Sequence, residues 1–522
     1  MSGKIKYKED WIEIKLEEAC QILDNLRKPI NAKERLKRTD GKKQSELFPY
    51  YGATGKVGYI DDYLTDGEYV LLGEDGAPFN DFRKNIAYII NGKTWVNNHA
   101  HILLSHFNNK FLCHYLNQFQ YNEYVSGTTR LKLTQGKLKT IPVQIPPLPE
   151  QRAIVSKIET LFSELDSAIE NLKTAQEQLK IYRQAVLKKA FEGELTKEWR
   201  KKQTDLPSAD ELLEQIKKEK EAHYEKQLKD WKQAVKKWEE TGKKGKKPAK
   251  PKKLKELPPL AKEELKDLPK LPANFVWTRL GDLIWSVKDG PHYSPKYTED
   301  GIPFISGRNI HPTGINFSDA KYISKELHNE LSKRCKPELN DVLYTKGGTT
   351  GIARVNTYDI DFNVWVHVAV LKSVNSVYPF YLQHVLNSNH CYRQSQKYTH
   401  GVGNQDLGLT RMILITIPFC SLDEQTQIVQ EIETRLSVAD KMQETIAESI
   451  KKAEALRQSI LKKAFEGRLL SEVEVNECKN APDYEPAEKL LARIEQSRNK
   501  KIKAEKEIKK QNGKRKPKNK NK

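Results

Sequence analysis

The sequence predicts a mixed α/β (α+β) protein in which two compact globular heads alternate with two long, copied helices. Three observations carry this. Leu148 to Leu195 recurs without a gap as Leu422 to Leu469, with about 21 identities in 48 positions. Inside each copy, apolar residues return at alternating spacings of four and three, the seam of a helix built to face another helix. Outside the copies, residues 11–145 and 275–420 carry β-type runs and Gly turns, each of ordinary domain size.

The first head, residues 1–147, opens on Trp11-Ile-Glu-Ile-Lys-Leu16. It continues through Phe48-Pro-Tyr-Tyr-Gly-Ala-Thr-Gly-Lys-Val-Gly-Tyr-Ile60, Tyr69-Val-Leu-Leu72 and Ile86-Ala-Tyr-Ile-Ile90. Ile145-Pro-Pro-Leu-Pro149 breaks that pattern and leads into a helix over 148–196. Its seam runs through Ile154, Ile158, Leu161, Leu165, Ala168, Leu172, Ala175, Leu179, Tyr182 and Val186. Gly193 stands where a C-terminal cap belongs, after a Lys pair that complements the negative end of the dipole. About 43 residues at 1.5 Å each give a rod of roughly 65 Å, which separates what it joins. Residues 197–272 read as a helical, Lys-rich linker. Its Ser208-Ala-Asp-Glu-Leu-Leu-Glu-Gln-Ile216 is echoed by Pro486-Ala-Glu-Lys-Leu-Leu-Ala-Arg-Ile494. The second head, 273–421, opens on Trp277-Thr-Arg-Leu280 and holds Val364-Trp-Val-His-Val-Ala-Val-Leu371 as a strand. In the second copied helix, 422–470, the seam falls on Ile428, Ile432, Ala439, Met442, Ile446, Ala453, Leu456 and Ile460, with Arg435 and Ser449 as polar interruptions, and Gly467 caps it. A short helix and a Lys-rich tail fill 471–522. Beyond their first strands the two heads show little resemblance to each other.

The formal charge of +20 and pI near 9.3 point toward nucleic acid, but location matters more than the total. Residues 242–253 and 500–522 hold roughly seventeen of the excess charges, and neither stretch has apolar periodicity. They read as a solvated linker and a tail rather than as dedicated DNA contacts. Six cysteines are scattered without CxxC pairs, which argues against a zinc site or a disulfide framework and fits a reducing cytoplasm. The N-terminus has no apolar core of signal-peptide length, and no window reaches the length of a membrane span, so a cytoplasmic protein is expected.

Catalytic motifs are scarce. Gly347-Gly-Thr-Thr-Gly351 lacks the Lys of a phosphate loop, and neither an Asn/Asp-Pro-Pro-Tyr/Phe tetrapeptide nor a convincing nuclease carboxylate set occurs. His99 and His101, two apart on a strand, would face one way, but no third metal ligand is evident, so no metal is expected. Binding residues are more promising. Gly52-Ala-Thr-Gly55 and Gly347-Gly-Thr-Thr-Gly351 are small-residue loops through which backbone N–H groups can approach phosphate, or ordinary tight turns. Tyr51, Thr54, Lys56, Lys346, Thr349, Thr350 and Arg354 lie in or near them. Asn97 and Asn98, beside His99, have the groups to pair bidentately with an adenine edge, and serve equally well as turn residues. Late in each head, Gly127-Thr-Thr-Arg-Leu-Lys132 offers Thr128, Thr129, Arg130 and Lys132, and His400-Gly-Val-Gly-Asn-Gln405 offers Asn404 and Gln405.

Two unlike heads, each followed by a copied helix that starts at Pro-Leu-Pro-Glu-Gln151 or Ser-Leu-Asp-Glu-Gln425 and ends in Ala-Phe-Glu-Gly, resemble the specificity subunits of type I restriction-modification systems. Locally, the first head resembles target-recognition domains through Tyr50-Tyr-Gly-Ala-Thr-Gly55, Gly73-Glu-Asp-Gly76 and Trp95-Val-Asn-Asn-His-Ala-His101. The second does so through Asp289-Gly-Pro-His292, Gly301-Ile-Pro-Phe-Ile305 and Asp341-Val-Leu-Tyr344, which adds Lys288, His292 and Arg308 to the candidate DNA contacts. The resemblance implies that each head reads half of a split, asymmetric site in double-stranded DNA. It implies further that the helices pack as an intramolecular antiparallel coiled coil, set the spacing, and dock two methyltransferase and two restriction subunits. S-adenosylmethionine, ATP and Mg²⁺ then belong to those partners, and this chain binds no cofactor and catalyses nothing. Two other readings remain open, the targeting half of a combined restriction-methylation enzyme and a coiled-coil adaptor that binds no DNA.

Overall fold

The computed structural model describes residues 10–81, 84–251, 256–401, 405–496 and 499. The chain forms two compact units, one from residues 1–174 and 446–522, the other from 175–445.

In the first unit, β1 (Ile12–Lys15) pairs antiparallel with β9 (Pro142–Ile145) and so closes the head onto the base of the helix that follows. Between them lie β2 (Cys20–Ile22), the hairpin β3 (Phe48–Gly52) and β4 (Gly55–Ile60), then β5 (Tyr69–Gly73), β6 (Ala87–Ile90), β7 (Lys93–Val96), β8 (Ala100–Ser105) and helix α1 (Asn109–Gln118). One sheet has the order β2-β8-β5-β6. The other contains β4-β3-β7, with β3 and β7 parallel. Helix α2 (Leu148–Phe191) leaves this head, and helix α3 (Ala209–Glu240) follows it.

The second head repeats this plan despite its unlike sequence. β10 (Val276–Arg279) pairs with a late strand, as β1 does with β9. Then come β11 (Ile284–Asp289), β12 (Ile302–Ile305), β13 (Lys321–Ile323), β14 (Val342–Thr345), β15 (Ala353–Val355), β16 (Asn363–Val364), β17 (Val368–Ser373), helix α4 (Pro379–Leu386), the closing strand β18 (Thr416–Phe419) and helix α5 (Leu422–Phe465). The sheets are β11-β17-β14-β15 and β13-β12-β16, with β12 and β16 parallel. The expected continuous strand over 364–371 is two strands, because the chain turns at Trp365–His367.

Each unit takes one half of each long helix. The first-unit core joins Ile154, Val155 and Ile158 of α2 to Ile460, Leu461, Ala464 and Phe465 of α5. The second-unit core joins Ile428, Val429 and Ile432 of α5 to Val186, Leu187, Ala190 and Phe191 of α2. These are the duplicated positions with their roles exchanged. The polar contacts repeat the exchange: Arg457 pairs with Asp166 in one unit, and its duplicate Arg183 pairs with Asp440, the duplicate of Asp166, at 2.6 Å in the other. Partners step forward along one helix as they step back along the other, so α2 and α5 run antiparallel. The faint echo after the helices is structural too, since Leu212 and Ile216 pack into one core and Leu490 and Ile494 pack against the other. Gly193 (φ +74°) and Gly467 (φ +71°) cap the helices, and the N–H groups of Glu194 and Arg468 reach back to the carbonyls of Lys189 and Lys463 at 2.9 and 2.8 Å.

The expected seam is displaced in the middle of the helices. Met442 and Leu456 are 52% and 47% exposed, and Ala168 and Tyr182 also face solvent, whereas Ile169, Arg183 and Arg457 are the half-buried residues. A 3.5-residue repeat drifts about 20° per heptad from a straight 3.6-residue helix, so the facing position slips by one residue over a few heptads. The other expected seam positions, Leu161, Leu165, Leu172, Leu179 and Ile446, are half-buried.

Candidate nucleic-acid interface

In the first head four connections meet at one edge of the sheets. Asn97 N–H donates to the Tyr51 carbonyl at 3.1 Å, and Glu74 N–H to the His99 carbonyl at 2.8 Å. Leu133 N–H donates to the Glu74 carbonyl at 2.7 Å. A Cβ on Gly73 would lie 2.9 Å from the Ala53 carbonyl, and one on Gly76 (φ +73°) would lie 3.1 Å from Arg130 Nε, so both positions admit only glycine without rearrangement. Thr54, Asn98, Thr128, Thr129, Arg130 and Lys132 are exposed on these connections, Lys56 is exposed at the start of β4, and Tyr51 at the end of β3 and His99 are half-buried. Lys56 Nζ lies 4.9 Å from the Tyr59 ring centre.

Beneath the loops lies a charge cluster. Asp24 accepts from His101 Nδ1 at 2.7 Å and pairs with Arg27 at 3.1 Å. Arg27 also pairs with Glu74, whose other oxygen faces Lys132 at 3.4 Å. Burial alone would raise the Asp24 carboxyl, but the hydrogen bond and charge of His101 and the charge of Arg27 outweigh it and hold the pKa below the ordinary value. Above, Asp75 binds Arg130 Nε at 2.7 Å. The acids thus pair with the basic side chains of this loop.

Two expectations change here. Asn97 is 9% exposed, and its carboxamide oxygen accepts from His99 N–H at 2.8 Å, so it is the turn residue and not an adenine reader. His99 and His101 do not share a face, because His99 belongs to that turn while His101 is buried on β8, with Nε2 2.9 Å from the Leu133 carbonyl. Single donor atoms of Asp24, Glu74 and His101 do lie within 4.8 Å of one another. Both His101 nitrogens are already engaged, and Arg27 bridges the two carboxylates, so this set suits an ion-pair network rather than a cation.

The second head builds its edge by the same hydrogen bonds. Lys346 N–H donates to the His367 carbonyl at 2.9 Å and Leu407 N–H to the Lys346 carbonyl at 2.8 Å. Lys346 thus takes the place of Glu74, and Asp406, bridged to Gly347, takes that of Lys132, which is bridged to Asp75. Polarity is inverted between the heads. Lys346 Nζ lies 2.7 Å from Asp406 and 3.4 Å from Asp289, and Asp289 occupies the place of Asp24 by strand register. Asp289 also binds Arg334 at 2.8 Å and His292 at 3.2 Å.

Lys346, only 2% exposed, is therefore an internal counter-ion and not a phosphate contact, and Thr350 is buried as well. Arg354 sits half-buried on β15, where burial lowers its pKa, and its charge is felt by His384 of α4, so it does not join Lys346. Lys288 is exposed near the end of β11, and His292, Arg308, Thr349 and Gln405 are exposed outside the strands. Asn404 lies outside the described residues. The acids Asp24, Glu74, Asp75, Asp289 and Asp406 do not stand out in the sequence, because residue type alone points to basic side chains as DNA contacts. The signal was present in Gly73-Glu-Asp-Gly76 and Asp289-Gly-Pro-His292.

Among the described residues no helix is long and apolar enough to cross a membrane. A family model described as the type I restriction modification DNA specificity domain matches twice, over residues 8–178 and 272–452. A putative type I restriction enzyme specificity subunit of Haemophilus influenzae is 37% identical over 148 residues, 28% of this chain and 36% of that one. The EcoBI and EcoDI specificity subunits of Escherichia coli are 24% and 23% identical over 370 and 448 residues. These alignments cover 70% and 81% of this chain, and 67% and 83% of theirs. A solved chain from work on complex assembly and conformational transition of the type I R-M system aligns with TM-score 0.55 at 17% identity, covering 89% of this chain and all of that one, a likeness of fold.

Proposed function

Because this chain belongs to the type I restriction modification DNA specificity family, we propose that it is the sequence-reading subunit of such a complex, with each head reading one half of a bipartite, asymmetric site in double-stranded DNA. The observation that supports this best is the pairing of two like-folded heads whose loop edges are built by the same backbone hydrogen bonds but carry inverted charge, Glu74 with Lys132 in one and Lys346 with Asp406 in the other. A common frame with different loop chemistry suits a reader of two different half-sites. Backbone anchoring falls to Lys56, Arg130, Lys132, Lys288 and Arg308, and base contacts to Thr54, Asn98, Thr128, Thr129, Thr349 and Gln405.

The copied helices set the distance between half-sites. Their reciprocal contacts create two equivalent surfaces, so one chain can hold two copies of a methyltransferase subunit, and two restriction subunits join for cleavage. The exposed Met442 and Leu456 suit such docking. S-adenosylmethionine belongs to the methyltransferase subunits, and ATP and Mg²⁺ to the restriction subunits. This chain supplies recognition and no catalytic group. The test is methylation mapping of genomic DNA from cells expressing the neighbouring methyltransferase with and without this chain. A single split motif with a fixed gap, present only with the chain, is expected. A motif that forms without it, or none at all, refutes the reading.

A further inference from the structure

We propose that helix α3 and the basic turn at its tip form an arm that grips the phosphate backbone of duplex DNA flanking the half-site read by the second head. The proposal rests on reading that head as DNA-binding. The arm lies in residues 179–271, which the family model leaves unmatched.

Its root is fixed by Leu212 and Ile216 in the second-unit core. From there it follows the chain from the turn before β11 into that strand. Lys220 Nζ donates to the Gly281 carbonyl at 2.7 Å, His223 stacks on Trp285 at 4.2 Å, and Trp231 lines the same cleft as Lys288. The helix therefore points toward the edge that carries Lys288, Asp289 and Lys346. From Trp231 to Glu240 it continues about 13 Å further at 1.5 Å per residue, past the end of the strand.

Beyond Glu240 the chain reverses through Gly242 (φ +77°) and Lys243 (φ +60°). From sequence this stretch reads as a solvated linker, yet it is pinned. Trp238 Nε1 donates to the Gly245 carbonyl at 3.2 Å and Trp231 Nε1 to the Pro248 carbonyl at 3.0 Å, while Lys247 and Lys250 lie 5.9 and 6.0 Å from the two indole rings. Lys243, Lys244, Lys246, Lys247 and Lys250 are all exposed, and among the described residues none pairs with a carboxylate. Five uncompensated cations held on one ordered turn repel each other, and a polyanion relieves that repulsion while releasing its own counterions.

The test uses the full chain assembled with its methyltransferase subunits and three fluorescent duplexes: 60 base pairs with the methylated motif, 60 without it, and one trimmed flush with the half-site of the second head. The variant is K243Q/K244Q/K246Q/K247Q/K250Q. Each lost phosphate contact removes about 0.9 from the slope of log K against log salt, so a slope shallower by about 2–4 is expected on both long duplexes. Affinity should fall by a similar factor on both, the methylated motif should not change, and the trimmed duplex should bind variant and parent alike. Equal slopes on the long duplexes overturn the proposal, as does loss of subunit assembly without a change in slope, which makes the arm a protein-binding surface. The motif-free duplex reads the arm whether or not the parent complex prefers the motif, so failure of the arm and failure of head recognition are distinguished.

Discussion

Replacing Lys346 with Met tests whether the second head's reading loops are held by buried charge. The ammonium lies 2.7 Å from Asp406 and 3.4 Å from Asp289, and Met keeps the chain length while removing the charge. Asp289, itself 2% exposed, would then retain Arg334 and His292, whose side chains are 58% and 62% exposed and partly screened by water. Stripping one partner from a buried pair costs about 3–5 kcal/mol when nothing compensates, and the remaining Arg334 guanidinium with the His292 contact reduces this to about 2–3 kcal/mol. Asp406, 39% exposed in its side chain, returns to water and adds little. A local loss of this size speeds amide exchange at residues 346–352 and 405–408 roughly 30- to 150-fold by hydrogen-exchange mass spectrometry, with residues 74–76 and 131–133 of the first head unchanged. In methylation mapping the half-site read by the second head should relax while the other stays fixed. Adding Asp289→Asn, which removes the stranded charge, should restore most of the protection. Unchanged exchange in both loops, or equal change in both heads, would refute the reasoning.

Other perturbations test separate links. His384 is buried, and burial followed by the charge of Arg354 pushes its pKa down to about 4 from an ordinary 6.5. The unfolded chain takes up that proton first, so the stability is whole above pH 6.5 and falls between 6.5 and about 4, by up to about 3 kcal/mol less whatever Glu433 returns from 3.9 Å. Urea titrations across that range should show His384→Phe lacking this part of the slope. Gly193→Ala forces a side chain into φ +74° and places its Cβ 2.7 Å from Pro272 and 2.8 Å from Arg200, the partner of buried Glu424. A loss of about 2–4 kcal/mol in urea unfolding is expected. Arg130→Ala should leave stability within about 0.5 kcal/mol yet weaken duplex binding about tenfold. Asn97→Ala should cost about 1–2 kcal/mol of stability without changing which base is read at any position. Deleting seven residues from the middle of both α2 and α5 removes about 10 Å, near three base pairs, and mapping should show the gap between half-sites altered accordingly.

The scaffold was legible because duplicated residues announce it. Gly193 and Gly467 are read as caps and act as caps, and the copied apolar positions form the two cores. The seam slips in the middle because spacing alone does not tell a supercoiled repeat from a straight one, and Tyr182 against Arg183 or Leu456 against Arg457 differ by one step. The common plan of the heads was hidden. Strands buried on both faces accept almost any apolar residue, and the loop edges exchange acid for base at equivalent places, so Glu74 and Lys346 do not align by type. Trp365–His367 turns without Gly or Pro, which makes Val364 to Leu371 look like one strand. Among the candidate contacts, Arg130 and Lys132 were legible by type and are exposed in the structure. Lys346 was not, because its burial depends on Asp289 and Asp406 arriving from distant segments.

The exchange of helix ends also fixes an order of events during synthesis. The second unit is one unbroken stretch, residues 175–445, and can close as soon as it has left the ribosome, whereas the first unit needs residues after 446. At about 5–20 residues per second the first head waits roughly 15 to 60 s with the seats for Ile460, Leu461 and Phe465 open. The head made first is the head finished last, and in that interval its uncovered apolar surface is open to chaperones, or to the helix of a neighbouring nascent chain.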